Sequence, residues 1–79
     1  MSTSNKVEFV WKDHELYDIR FNSETVGLLY KNEKEWEVRV AYLDDAELEI
    51  LLTDNLSSSW EKLAAAKKEI KSLLMAYIR

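Results

Sequence analysis

Trp36-Glu37-Val38-Arg39-Val40-Ala41-Tyr42 alternates strictly, with a large apolar side chain at every second position. On an extended chain successive side chains point to opposite sides, so a period of two marks a strand buried on one face. This reading places Trp36, Val38, Val40 and Tyr42 toward a core and Glu37, Arg39 and Ala41 away from it.

The same period runs upstream. Val7, Phe9 and Trp11 oppose Glu8, Val10 and Lys12; Tyr17, Ile19 and Phe21 oppose Asp18, Arg20 and Asn22; Val26, Leu28 and Tyr30 oppose Gly27 and Leu29. Polar breaks at 12–15, 22–25 and 31–35 separate these runs as hairpin connections do. Strands are therefore predicted over about 6–12, 16–22, 26–31 and 36–42. Connections this short make consecutive strands pair antiparallel, as a meander.

Downstream, Asp44-Asp45 turns the chain into Ala46–Leu52, where Leu48, Ile50 and Leu52 alternate with Glu47, Glu49 and Leu51. The strict alternation favours a fifth strand over 46–52, although Ala, Leu and Glu also suit a helix. The period then changes. Ser58-Ser59-Trp60-Glu61 fits a capping box, in which a hydroxyl and a carboxylate each take a backbone amide of the first turn. A helix over about 59–77 follows, with Leu63, Ala66, Ile70, Leu73, Leu74 and Tyr77 stepping by three and four. The expected fold class is α+β: an antiparallel four- to five-stranded meander sheet covered on one face by a C-terminal helix. Residues 1–5 form a disordered polar tail in this reading, and 6–79 a single domain. One helix leaves part of a wide sheet bare, so Val10, Leu29, Ala41 and Leu51 are candidates for an open apolar surface that a homodimer would close.

Composition narrows the function classes. The 79 residues include no Cys, which excludes disulfides, thiolate metal sites and a cysteine nucleophile. Only Gly27 is available for a phosphate-cradling loop. His14, the only histidine, sits between Asp13 and Glu15 in a predicted turn and has no second histidine to complete a metal site. Asp44 to Glu49 is rich in carboxylates but lacks the glycine and spacing of a calcium loop. Ser57-Ser58-Ser59 has no paired histidine and reads as capping. No catalytic residues, metal or cofactor are expected. No run approaches the roughly 18 apolar residues of a membrane span, and the polar start lacks a signal peptide's apolar core, so a cytoplasmic location is expected without membrane partners.

Charge is segregated. Residues 1–56 carry six bases and thirteen acids, whereas 57–79 carry five bases and two acids, within a net charge of −4. If 46–52 is a strand, Glu35, Glu37, Glu47 and Glu49 share an outward face fit for a basic partner, or for a groove that otherwise holds phosphates. On the helix, Trp60, Ala64, Lys67, Lys71, Met75 and Ile78 form a second stripe, with Trp60, Lys67 and Lys71 as docking candidates. The plainer alternatives are a solvated sheet face and lysine stems lying on apolar surface.

The expectation is a small non-enzymatic protein-binding module, an adaptor or inhibitor, whose partner is another protein. Chains of this build are common among phage and mobile-element products, an analogy only. One alternative is nucleic-acid binding through Lys62, Lys67, Lys68, Lys71 and Arg79, which the net negative charge opposes. The other is a structural homodimer.

Overall fold

A computed structural model describes residues 5–77. Four strands, β1 (Val7–Asp13), β2 (Leu16–Phe21), β3 (Glu24–Asn32) and β4 (Glu35–Val40), precede two helices, α1 (Ala46–Asn55) and α2 (Leu63–Met75). The strands form one antiparallel sheet in the order β1-β2-β3-β4. The chain is thus an α+β meander whose last helix closes the sequence. None of the helices among the described residues is long and apolar enough to cross a membrane.

Register explains which face carries the helices. Trp11, Tyr17, Leu29 and Val38 stand in one row across the four strands, and Phe9, Ile19, Gly27 and Val40 in the next. Paired residues share a face. That face packs into a single core with Leu48 and Leu52 of α1 and with Ala66, Ile70 and Leu74 of α2. Ala66, Ile70 and Leu74 are spaced four apart on one side of α2 and have no exposed surface.

The alternation in the third strand is broken by a bulge. Ile19 stands opposite Gly27 and Arg20 opposite Thr25, which leaves Val26 as an extra residue on β3. Val26 and Gly27 are therefore both buried, and every later residue of β3 is turned over relative to the simple period. Leu29, expected on the open side, is completely buried, while Leu28 and Tyr30 lie on the uncovered face. Glycine is required here by close approach, since a Cβ at Gly27 would stand 2.8 Å from the Arg39 carbonyl oxygen.

Residues 46–52 are helix and not the expected fifth strand, so the sheet has four strands. Asp45 is the N-cap of α1: its Oδ1 accepts from the Leu48 amide at 3.2 Å, satisfying one of the donors a helix start leaves unpaired. Glu47 and Glu49 in the first turn complement the helix dipole. The four-residue spacing of Leu48 and Leu52 buries both, and Ile50, which a strand would have turned inward, is 56% exposed. Asp45 Oδ2 also accepts from the Tyr77 hydroxyl at 2.9 Å, tying the residues just after α2 to the start of α1.

The capping box at Ser58 is not formed, and the last helix begins at Leu63 rather than near residue 59. Its N-cap is Lys62, which makes no capping side-chain bond. The chain before it is held by a competing interaction: the Trp36 amide donates to the Trp60 carbonyl at 2.7 Å and the Trp60 amide to the Trp36 carbonyl at 2.9 Å. Of the tail expected at 1–5, residues 1–4 lie outside the described residues. Asn5 is engaged, its Nδ2 donating to the carbonyls of Tyr77 (2.7 Å) and Leu74 (3.3 Å) at the end of α2.

The hairpins use left-handed residues. Asn22 and Ser23 have φ of 51° and 72°, the type I′ arrangement that suits a two-residue hairpin. In the β3–β4 hairpin Glu33 has φ of 60° while Lys34 does not share the left-handed conformation. A non-glycine residue held there is strained. Glu33→Gly is expected to raise the unfolding free energy by about 1 kcal/mol, read from the midpoint of urea denaturation, because glycine removes the Cβ clash at some cost in chain entropy.

Candidate functional site

β4 is an edge strand, and its outer side is where the structure leaves backbone groups available. In an antiparallel ladder alternate residues turn their N–H and C=O toward the neighbour. The Ala41 amide donates to the Val26 carbonyl at 2.9 Å, so Glu37, Arg39 and Ala41 face β3. Trp36, Val38 and Val40 consequently face outward. At Trp36 that outward pair is taken up by Trp60. Beyond it the chain leading to Trp60 draws away, and Val38 and Val40 border a groove of about 490 Å³. Leu52, Thr53 and Leu56 line its helix side and Ser57 and Ser58 its end. Arg39, on the uncovered face beside this groove, is exposed and has no ion pair among the described residues. A second depression, at the β3–β4 hairpin, is lined only by exposed polar residues, Asn32 to Glu35 and Glu61.

Glu69 holds the rim of the groove. Its carboxylate accepts from the Ser57 amide (2.7 Å), the Ser57 hydroxyl (2.9 Å) and the Trp60 indole (3.1 Å). The Ser57 amide, followed by the Trp60 indole, holds the carboxyl below its ordinary value of 4.5. A lowered folded-state pKa means that the carboxylate stabilises the fold above about pH 4.5 and that this contribution is lost as pH falls through the folded value. The stability gap between the wild type and Glu69→Gln, measured by urea denaturation, is therefore expected to be widest near neutral pH and to narrow below about pH 4.5.

The residues anticipated from sequence are dispersed. Glu35 and Glu37 are on β4, but Glu47 and Glu49 are in the first turn of α1, so the four carboxylates do not make one sheet face. Glu37 is half-buried and accepts from the Tyr30 hydroxyl (3.3 Å) and from Asn32 Nδ2 (3.2 Å), and Glu35 accepts from the Ser59 hydroxyl (3.2 Å). Trp60 is 7% exposed and belongs to the core, not to a docking stripe. Lys67 lies on the sheet, its Nζ 4.6 Å from the Tyr17 ring centroid and 5.8 Å from that of Phe9. Lys62, Lys68 and Lys71 are exposed, whereas Ile78 and Arg79 lie outside the described residues. His14 is exposed in the β1–β2 turn, its Nε2 3.5 Å from the Glu15 carboxylate. Among the described residues no three potential ligand side chains gather as a metal site.

Comparison with family models, curated proteins and solved structures returns no match to this chain. The sequence does not reveal the β4 groove, because the groove depends on where α1 lies and the alternation of 46–52 places that segment in the sheet. An available signal was Trp36 to Val40 itself, the last strand of a meander and so an edge by topology.

Proposed function

We propose that this chain is a small non-enzymatic protein-binding module, an adaptor or inhibitor, that accepts an extended segment of its partner alongside β4. The observation that supports this reading is the outward-facing backbone of Val38 and Val40 beside a groove, next to a point where Trp60 already pairs with the same edge. A strand added there exchanges main-chain hydrogen bonds with Val38 and Val40, and its alternate side chains set specificity. On the helix side it meets Leu52 and Leu56; on the uncovered side it meets Arg39. The matching segment is thus apolar, acidic, apolar, with its carboxylate opposite the guanidinium.

The test is selection of displayed random peptides on the immobilised protein, followed by amide chemical-shift mapping with the enriched sequences. Shifts centred on Val38, Val40, Leu52 and Leu56, abolished by Ser58→Trp, are expected. Shifts confined to the lysines of α2 or to β1 would overturn the assignment. Salt-sensitive binding of a DNA oligonucleotide at Lys62, Lys68 and Lys71 would replace it with nucleic-acid recognition.

A further inference from the structure

We infer that a second copy of this chain pairs with the free edge of β1, antiparallel about a two-fold axis through Val10, so that two sheets join into one of eight strands. This edge lies at the opposite side of the sheet from β4, and the inference stands independently of the peptide reading.

The backbone alternation fixes which groups are available. The Asn22 amide donates to the Lys6 carbonyl at 2.8 Å, and Glu8 and Val10 stand opposite Arg20 and Asp18. These residues bond toward β2, so Val7, Phe9 and Trp11 turn their N–H and C=O outward. No described strand occupies that side. The strand carries no proline, and Val10 and Trp11 are 37% and 63% exposed, an edge of the kind that recruits another chain.

Charge selects the register. An antiparallel partner must match outward residues with outward residues, so allowed registers differ by steps of two. With the axis at Val10, Phe9 and Trp11 exchange backbone bonds with Trp11 and Phe9 of the second copy, and Val10 meets its own counterpart. Glu8 then meets Lys12 of the second copy, and Lys12 meets its Glu8. Both side chains lie on the uncovered face, as the Lys12 to Asp18 contact of 3.4 Å requires, and both are substantially exposed. Moving the axis to Phe9 would set Lys12 against Lys6, and moving it to Trp11 would set Lys12 against Val10. An axis at Val7 would also set Lys6 against Glu8 twice but overlaps only the start of β1; among the registers centred on the strand, only the Val10 axis makes opposite charges coincide twice, and its outer charged pairs fall at the irregularity between Trp11 and Asp13.

Sedimentation equilibrium from micromolar to millimolar protein tests this. A monomer–dimer equilibrium is expected. Glu8→Lys or Lys12→Glu alone is expected to weaken it by on the order of tenfold at low salt, because each sets like charges opposite one another at two symmetric places. The combined exchange, Glu8→Lys with Lys12→Glu, is expected to restore it. In the wild type, hydrogen-exchange protection of the Phe9 and Trp11 amides should rise with concentration. A monomer throughout, single exchanges without effect, a folded combined variant that stays monomeric, or Phe9 and Trp11 protection independent of concentration would overturn the inference.

Discussion

Leu48→Ala is expected to lower the unfolding free energy by about 2–5 kcal/mol, whereas Ile50→Ala should change it by no more than about 0.5 kcal/mol. The contrast follows from the helix. Leu48 has no exposed surface and sits in the core formed with the sheet and α2, so truncation removes its burial and leaves a cavity. Ile50, two residues on, is turned by about 200° around the helix axis and is 56% exposed. A strand would have given the two residues the same face and similar costs. Urea denaturation of both variants reads the difference, and equal losses would contradict α1. A domain of this size has only about 5–15 kcal/mol to lose, so Leu48→Ala removes a large share of its stability.

The second large effect is Trp60→Ala, expected to cost about 3–5 kcal/mol. Trp60 is 7% exposed, pairs its backbone with Trp36 and donates its indole N–H to Glu69. Removing the ring empties a core position and leaves the Glu69 carboxylate with fewer donors. Trp11, 63% exposed, is the control: Trp11→Ala should alter the melting of micromolar protein little, within about 0.5 kcal/mol. Were Trp60 a docking residue on a free helix flank, its truncation would be as mild as that of Trp11. A thermal melt of the two variants distinguishes the cases.

Period alone was enough for most of the fold. The four strands and the apolar side of α2 were legible because each element repeats its own spacing over several residues, and short polar breaks between strands leave little besides a meander. Ala46 to Leu52 defeated this test because Leu48, Ile50 and Leu52 satisfy a period of two while Leu48 and Leu52 also satisfy a helical spacing of four. What decides it is Asp45, whose carboxylate caps the helix, followed by residues of high helix propensity. The Ser58 to Glu61 box failed for the opposite reason. Its local signal was good, but pairing of Trp60 with Trp36 holds the chain extended, and a tertiary contact outweighed the cap.

The surfaces were less legible. Bulges are set by how strands meet rather than by composition, so the extra residue at Val26, which turned Leu28 and Tyr30 to the uncovered face, left only Gly27 as a trace. Placing Glu47 and Glu49 on a strand created an acidic face that the helix disperses. The sequence allows Lys67 to be a docking residue or, more plainly, a stem lying on apolar surface, and the Tyr17 and Phe9 rings beneath its ammonium fit the second description. The β4 groove required knowing that α1 stands beside the edge without occupying it.

Residue-resolved amide hydrogen exchange on dilute protein tests whether β4 presents free backbone groups at Val38 and Val40. Arg39 and Ala41, bonded to β3, and Trp36, bonded to Trp60, should exchange slowly, while Val38 and Val40 exchange with little protection until a selected peptide is added. Protection of Val38 and Val40 equal to that of their neighbours in the free protein would mean that the edge is already closed, and would contradict the account.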